Sequence, residues 1–185
     1  MKNKAVFLDR DGTIHIDKNC LHEVEKLEYF EDTFSALKRL QNAGYILIIV
    51  SNQDGIRRGF YTEKEMNKVN EKILNDLRKN DIEIAAIYYS PYQLSDNHFT
   101  FKPNPGMLLQ GIKDFDIDAN RSFIIGDHMS DYVAGVRAGV KSLIVRTGLY
   151  EYPNKPIEME DYYEEYKPVI YNNLTECVNE ILKND

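Results

Sequence analysis

Ala5-Val6-Phe7-Leu8-Asp9-Arg10-Asp11-Gly12-Thr13 runs four apolar residues straight into two carboxylates and a glycine. The apolar run is too short for a helix and shows no polar alternation. It reads as a strand buried on both faces of a parallel sheet. Tyr45–Val50, Ile84–Tyr89, Ser122–Ile125 and Ser142–Val145 repeat the pattern. Helical periods separate them. Thr33–Ala43 spaces Phe34, Leu37 and Leu40 along one face and stops at Gly44, suited to a helix end. Thr62–Asn80 opens with Thr62 and Glu65 at capping-box spacing, then carries Met66, Val69, Ile73, Leu74 and Leu77 as one stripe. Pro105–Phe115 starts on proline, and Ser130–Ala138 ends before Gly139. Val169–Tyr171 and Leu174–Leu182 add a last strand and helix. This alternation predicts an α/β fold of three layers around a mainly parallel sheet, with right-handed crossovers.

The 185 residues are read as a single domain, 1–185. A hydrophobic share of 43% and a charged share of 29% exclude a collagen, a mucin-like stalk and a wholly disordered chain. The net charge of −7 argues against a binder of nucleic-acid backbone. Cys20 and Cys177 are too few and too far apart for a disulfide framework or a zinc cluster. The N-terminus meets Asp9 after four apolar residues, unlike a signal peptide. The expectation is a cytoplasmic monomer with a small-molecule substrate and neither nucleic-acid nor membrane partner. Tyr150–Tyr166, rich in acid and tyrosine, is the one shift of composition; it reads as a solvated excursion, with a lid or subunit contact as the alternative.

Ligands of such folds sit beyond the carboxyl ends of the strands. Asp9 and Asp11 follow the first strand, Ser51-Asn52-Gln53 the second, and Gly126-Asp127 the fourth, with Asp131 one helical turn on; Lys102-Pro103 precedes the third helix. The set suits phosphoryl transfer. One carboxylate can accept the phosphoryl group, and a second can protonate the leaving oxygen and then activate water. A divalent cation relieves the crowding of carboxylates, and lysine opposes the charge in flight.

Phe7-Leu8-Asp9-Arg10-Asp11-Gly12-Thr13 resembles the first motif of the haloacid-dehalogenase-like (HAD) phosphohydrolases; Ser51 matches the second, Lys102 the third, and Gly126-Asp127 with Asp131 the fourth. Ser51–Gly59, Lys102–Leu108 and Val145–Gly148 resemble the branch holding the D-glycero-D-manno-heptose 1,7-bisphosphate 7-phosphatases and the histidinol-phosphatases. The resemblance implies a HAD-like, Rossmann-like fold and a Mg²⁺-dependent phosphatase working through an aspartyl-phosphate. It implies Asp9 as nucleophile and metal ligand. Asp11 becomes the general acid/base, with its backbone carbonyl on the metal. Ser51 and Asn52 bind phosphoryl group or substrate, Lys102 offsets charge, and Asp127 completes the Mg²⁺ site. Asp131 falls behind these ligands. Gln53 is also favoured as a substrate contact. Of Arg57 and Arg58, one meets substrate phosphate and Arg58 is taken as that one. The short motif intervals leave no room for a cap domain, and Ile14–Leu27 would form a flap near the leaving group.

The branch usually carries a zinc loop of one Cys-x-His and one Cys-x-Cys pair before the lysine. Here that stretch is Ser90-Pro91-Tyr92 and His98-Phe99-Thr100, so no zinc is predicted. Phe101 stands where the branch has arginine, and His128 where lysine is common. Phe101 is therefore a candidate substrate contact. His15, His22 and His98 read as surface residues. The first substrate reading is the heptose bisphosphate, losing its 7-phosphate, and the second histidinol phosphate. A phosphoaspartate receiver module is the competing class; its phosphoacceptor would follow the third strand, where this chain has Ser90-Pro91.

Overall fold

The computed structural model describes residues 2–148 and 165–183. In it Ala5–Leu8 form strand β1 and send alternate side chains to opposite faces. Val6 and Leu8 enter one core, Ala5 and Phe7 another, and all four are fully buried. Ile46–Asn52 (β2) and Phe123–Gly126 (β4) flank it and split their residues likewise: Leu47, Ile49 and Ile125 to the first core, Ile48, Val50 and Ile124 to the second. With Ile84–Ser90 (β3), Lys141–Val145 (β5) and Ile170–Tyr171 (β6) they make one six-stranded sheet, ordered β3-β2-β1-β4-β5-β6 and parallel throughout. Thr33–Asn42 (α1), Glu63–Lys79 (α2) and Leu174–Lys183 (α5) cover the first face; Gly106–Asp114 (α3) and Met129–Ala138 (α4) cover the second. This is the three-layer arrangement that the alternation predicts.

Local signals explain the boundaries. At α2 the Thr62 hydroxyl accepts from the Glu65 amide at 3.3 Å while the Glu65 carboxylate accepts from the Thr62 amide at 2.7 Å. Gly44 follows α1 with φ +83°, the left-handed conformation that ends helices. The start of α4 differs from the expectation. It begins at Met129, because the His128 ring nitrogen Nδ1 accepts from the Ser130 amide at 3.2 Å and the Asp131 carboxylate accepts from the His128 amide at 3.1 Å. Histidine is not a usual capping residue, so the spacing alone did not signal this box. Burial on both faces also fails for β3. It is an edge strand, and of its residues only Ser90 is fully enclosed.

Between Asp11 and Ser51 lie only a short turn of helix at Val24–Lys26, α1 and most of β2; between Ser51 and Lys102 lie α2, β3 and a turn at Leu94–Asp96. Neither interval holds a cap domain. No helix among the described residues is long and apolar enough to cross a membrane. Most of Tyr150–Tyr166, and with it the reading of that segment as excursion or lid, lies outside the described residues.

Candidate active site

After β1 the chain turns first to one side of the sheet and later to the other, so a crevice opens where β1 meets β2 and β4. Asp9 leaves the end of β1, its amide donating to Ile125 O of β4 at 2.9 Å. Ser51 and Asn52 are the last residues of β2, and Asp127 comes one residue after β4. A cleft of about 310 Å³ spans this edge; Asp9, Asp11, Ser51, Asn52, Arg58, Phe101, Lys102, Asp127 and Asp131 all line it. The structure therefore brings these residues of all four motifs to one place.

Lys102 organises the floor. Its ammonium is almost fully enclosed and donates to Asp9 Oδ1 at 2.6 Å, Asp131 Oδ1 at 2.5 Å and Val50 O at 2.8 Å. Burial pulls its pKa down, but the two carboxylates outweigh that and hold it above the ordinary lysine value. Asn52 explains how the lysine is delivered: its side chain accepts from the Lys102 amide and donates to the Lys102 carbonyl, both at 3.0 Å. Asn52 thus caps backbone as well as facing the cleft. Asp131 uses one oxygen on Lys102 and the other on the His128 amide.

Carboxylate oxygens of Asp9, Asp127 and Asp131 lie within 4.8 Å of one another. Burial pushes the Asp9 carboxyl up to about 7; Lys102 opposes this, while Asp131 and Asp11 add to it. Asp127 is raised well above its usual value by burial and by Asp9 and Asp131. Backbone crowds Asp127: a Cβ at Gly12, whose φ is +79°, would come 2.6 Å from its Oδ2, and one at Gly148 1.8 Å. The glycines are required by this close approach. Crowded, buried oxygen donors of this kind suit a hard divalent cation, so the donor set fits Mg²⁺.

The Asp9 carboxyl, raised from 3.8 to about 7, stays protonated in the folded chain at pH values where the unfolded chain has already lost the proton. Without metal, stability from this group falls as pH rises between those values and the full penalty stands above about 7. A cation offsets it. The melting temperature gained on adding Mg²⁺ should be larger at pH 8 than at pH 5 by about 3 °C, roughly 1 kcal/mol for a chain of this size. Scanning fluorimetry with and without Mg²⁺ at both pH values checks this, and equal gains would refute it.

Asp11 is held from behind. Arg10, almost entirely buried, donates through Nε to its Oδ2 at 2.8 Å and through Nη2 to its Oδ1 at 3.1 Å; Gln53 Nε2 adds a third bond at 3.0 Å. Burial raises the Asp11 carboxyl, but Arg10, His15 and Gln53 together hold it below its ordinary value. Gln53 does not line the main cleft; it is enclosed beneath it. It lines a smaller adjoining pocket instead, and its side-chain amide is hydrogen-bonded to Ser51, Asp11, Arg10 and Tyr61. His15 is also not a surface residue. It is fully buried under Asp11, with Nδ1 2.9 Å from Ile16 O and Nε2 3.5 Å from Asp11 Oδ1. Its immediate neighbours, isoleucines on both sides, are the signal that could have placed it inside.

The cleft rim carries Arg58, paired with Asp54 at 2.7 Å, and Asp17 from the flap. Arg57 points instead toward Asp96, at 3.6 Å. Where cysteines are absent, Ser90 Oγ and Thr100 Oγ1 lie 2.9 Å apart, His98 Nδ1 is 2.8 Å from Thr100 Oγ1, and the Tyr92 ring stacks on His98. These contacts close the loop that carries Phe101 and Lys102. Ser90 is fully enclosed at the end of β3, with no carboxylate in the place of a receiver's phosphoacceptor.

A profile of the HAD-hydrolase-like family matches residues 100–177. The chain is 39% identical over 153 residues to the D-glycero-beta-D-manno-heptose-1,7-bisphosphate 7-phosphatase of Haemophilus influenzae, covering 79% of this chain and 83% of the relative. It is 36% identical to the D-glycero-alpha-D-manno-heptose-1,7-bisphosphate 7-phosphatase of Campylobacter jejuni, covering 97% and 96%. The fold is similar to that of the D,D-heptose 1,7-bisphosphate phosphatase of B. bronchiseptica, solved with magnesium and phosphate: TM-score 0.83, 22% identity, 98% and 99% covered. A parallel sheet with this carboxylate–lysine edge, in a chain with such relatives, is a HAD-like phosphoric monoester hydrolase. Within that class, the chain belongs to the family of the D-glycero-D-manno-heptose-1,7-bisphosphate 7-phosphatases.

Proposed function

We propose that the protein removes the 7-phosphate of D-glycero-D-manno-heptose 1,7-bisphosphate, as a cytoplasmic, single-domain enzyme. The observation that carries the chemistry is Lys102, sealed between Asp9 and Asp131 beside Asp127 at the floor of an open cleft. Named relatives along most of the chain support the substrate. An Asp9 oxygen attacks phosphorus and the phosphorus–ester bond breaks. Asp11 gives a proton to the departing alkoxide, then takes one from the water that attacks the aspartyl-phosphate, and Asp9 and inorganic phosphate are released. Lys102 opposes charge on Asp9 and on the phosphoryl oxygens, the Ser51 hydroxyl donates to one of those oxygens, and Asp131 holds Lys102 in place. Asp9, Asp127 and the Asp11 carbonyl would hold Mg²⁺, which supplies positive charge against the phosphoryl oxygens. To act as an acid, Asp11 must carry a proton that its resting contacts disfavour, so it turns from Arg10 toward the leaving oxygen as substrate fills the cleft.

Arg58 is the cation on the rim for the second phosphate. Histidinol phosphate is a second reading, because Asp17 and Asp54 place carboxylates on the cleft wall where an ammonium would be held. Turnover of both anomers of the heptose bisphosphate, of heptose 7-phosphate and of histidinol phosphate with Mg²⁺ tests the proposal. A preference for histidinol phosphate over both anomers would overturn the substrate, and no phosphate release from any ester would overturn the chemistry. Phe101, largely covered but lining the cleft, gives the second phosphate no hydrogen bond. Phe101→Arg should raise the preference for bisphosphate over monophosphate roughly ten- to a hundredfold, the worth of one hydrogen bond to a charged group. An unchanged ratio of kcat/KM values would show that Phe101 only packs its loop.

A further inference from the structure

Gln53 follows Ser51, the proposed phosphoryl-binding residue, by two positions, yet its side chain is almost fully buried and does not line the main cleft. Its amide makes four contacts. Nε2 donates one hydrogen to Ser51 Oγ at 2.8 Å and one to Asp11 Oδ2 at 3.0 Å. Oε1 accepts from Tyr61 OH at 2.8 Å and from Arg10 Nη2 at 3.1 Å. Arg10 is itself fixed, its Nη1 donating to Asn70 Oδ1 of α2 at 2.9 Å. The two donors on Oε1 leave the amide one orientation, with both N–H groups toward Ser51 and Asp11. A hydroxyl has one hydrogen. With an Oγ lone pair taken by Gln53, the Ser51 hydrogen is left to point at an incoming oxygen.

We propose that Gln53 is a positioning residue of the phosphatase reaction, making the Ser51 hydroxyl a donor to the phosphoryl group and setting the rest position from which Asp11 serves the leaving oxygen. One amide thereby ties phosphoryl binding to proton transfer. The inference rests on the roles proposed above for Ser51 and Asp11, and deepens them. It has a signature that loss of packing lacks. An alkyl phosphate needs the acid to protonate its leaving oxygen, whereas p-nitrophenyl phosphate has a leaving group stable as an anion. In phosphoryl transfer to Asp9, damage passed through Asp11 therefore falls harder on the alkyl ester, while hydrolysis of the shared aspartyl-phosphate is the same for both.

The experiment measures kcat and KM of wild type, Gln53→Met and Gln53→Glu on heptose 1,7-bisphosphate and on p-nitrophenyl phosphate, with saturating Mg²⁺, beside melting temperatures. Gln53→Met keeps the length without donors; Gln53→Glu keeps the volume and the partners of Oε1, and serves alone if the methionine variant does not fold. Ile73→Val, a trimmed core residue of α2, is the control for lost stability. The expected result is a roughly ten- to a hundredfold fall in kcat/KM, which reads phosphoryl transfer to Asp9, on the heptose ester, and a smaller fall in kcat/KM on the aryl ester. Ile73→Val should change the two rates in parallel. Equal losses of kcat/KM on both esters, or a kcat/KM within threefold of wild type on the heptose ester, would overturn the inference. A wild type inactive on both esters would instead overturn the proposed function.

Discussion

Asp9→Asn should abolish turnover, lowering kcat by at least about 10⁴-fold, the scale expected for removing a nucleophile, while the chain stays folded. The amide matches the carboxylate in shape and keeps an oxygen for the Lys102 ammonium, which lies 2.6 Å from Asp9 Oδ1. What it loses is the anion proposed to attack phosphorus. Burial has already raised the Asp9 carboxyl, so exchanging it for a neutral group removes a charge that the metal-free site holds at a cost. The melting temperature without Mg²⁺ at pH 8 should therefore not fall. Acid-quenched wild type should carry phosphate on Asp9, and the variant none. More than about one per cent residual activity, in variant protein shown by mass spectrometry to have undergone no deamidation back to aspartate, would end the covalent mechanism.

Lys102→Met is expected to cost both activity and stability. The ammonium is the common partner of Asp9, Asp131 and the Val50 carbonyl, with next to no exposure. Methionine fills the space but leaves two buried carboxylates without a cation. Breaking a buried pair in this way costs about 3–5 kcal/mol, or roughly 6–20 °C in melting temperature for a chain of this length. The rate should fall about 10³-fold, because charge on the transferring group loses its nearest protein cation. Lys102→Arg should not restore it: a guanidinium is planar and larger than the enclosed ammonium, and cannot meet all three oxygens. Chemical denaturation and steady-state rates on all three proteins check this. A methionine variant with native stability would show that Lys102 is not the counter-ion of the floor.

The order of strands and helices was legible because short apolar runs and helical stripes obey different periods, and Thr62, Glu65 and Gly44 mark their own ends. Most candidate motif residues were legible because they stand at or shortly after a strand end, and every parallel strand delivers that end to the same edge; Lys102, just before α3, and Asp131, in the first turn of α4, were legible from their motifs. The burial of β3 was not. An apolar run is the same whether its strand lies inside the sheet or at the margin, and only strand order makes β3 an edge. Position in sequence likewise could not separate Asn52 from Gln53. Successive residues at a strand end point to opposite sides, and it is the packing of Arg10, Tyr61 and Asn70 that draws Gln53 beneath the cleft. His15 and the His128 cap belong to the same class. Residue type and spacing decide which groups come to the site, since strand geometry carries them there. Tertiary packing decides which of them face substrate and which stand behind, since that depends on partners distant in the chain.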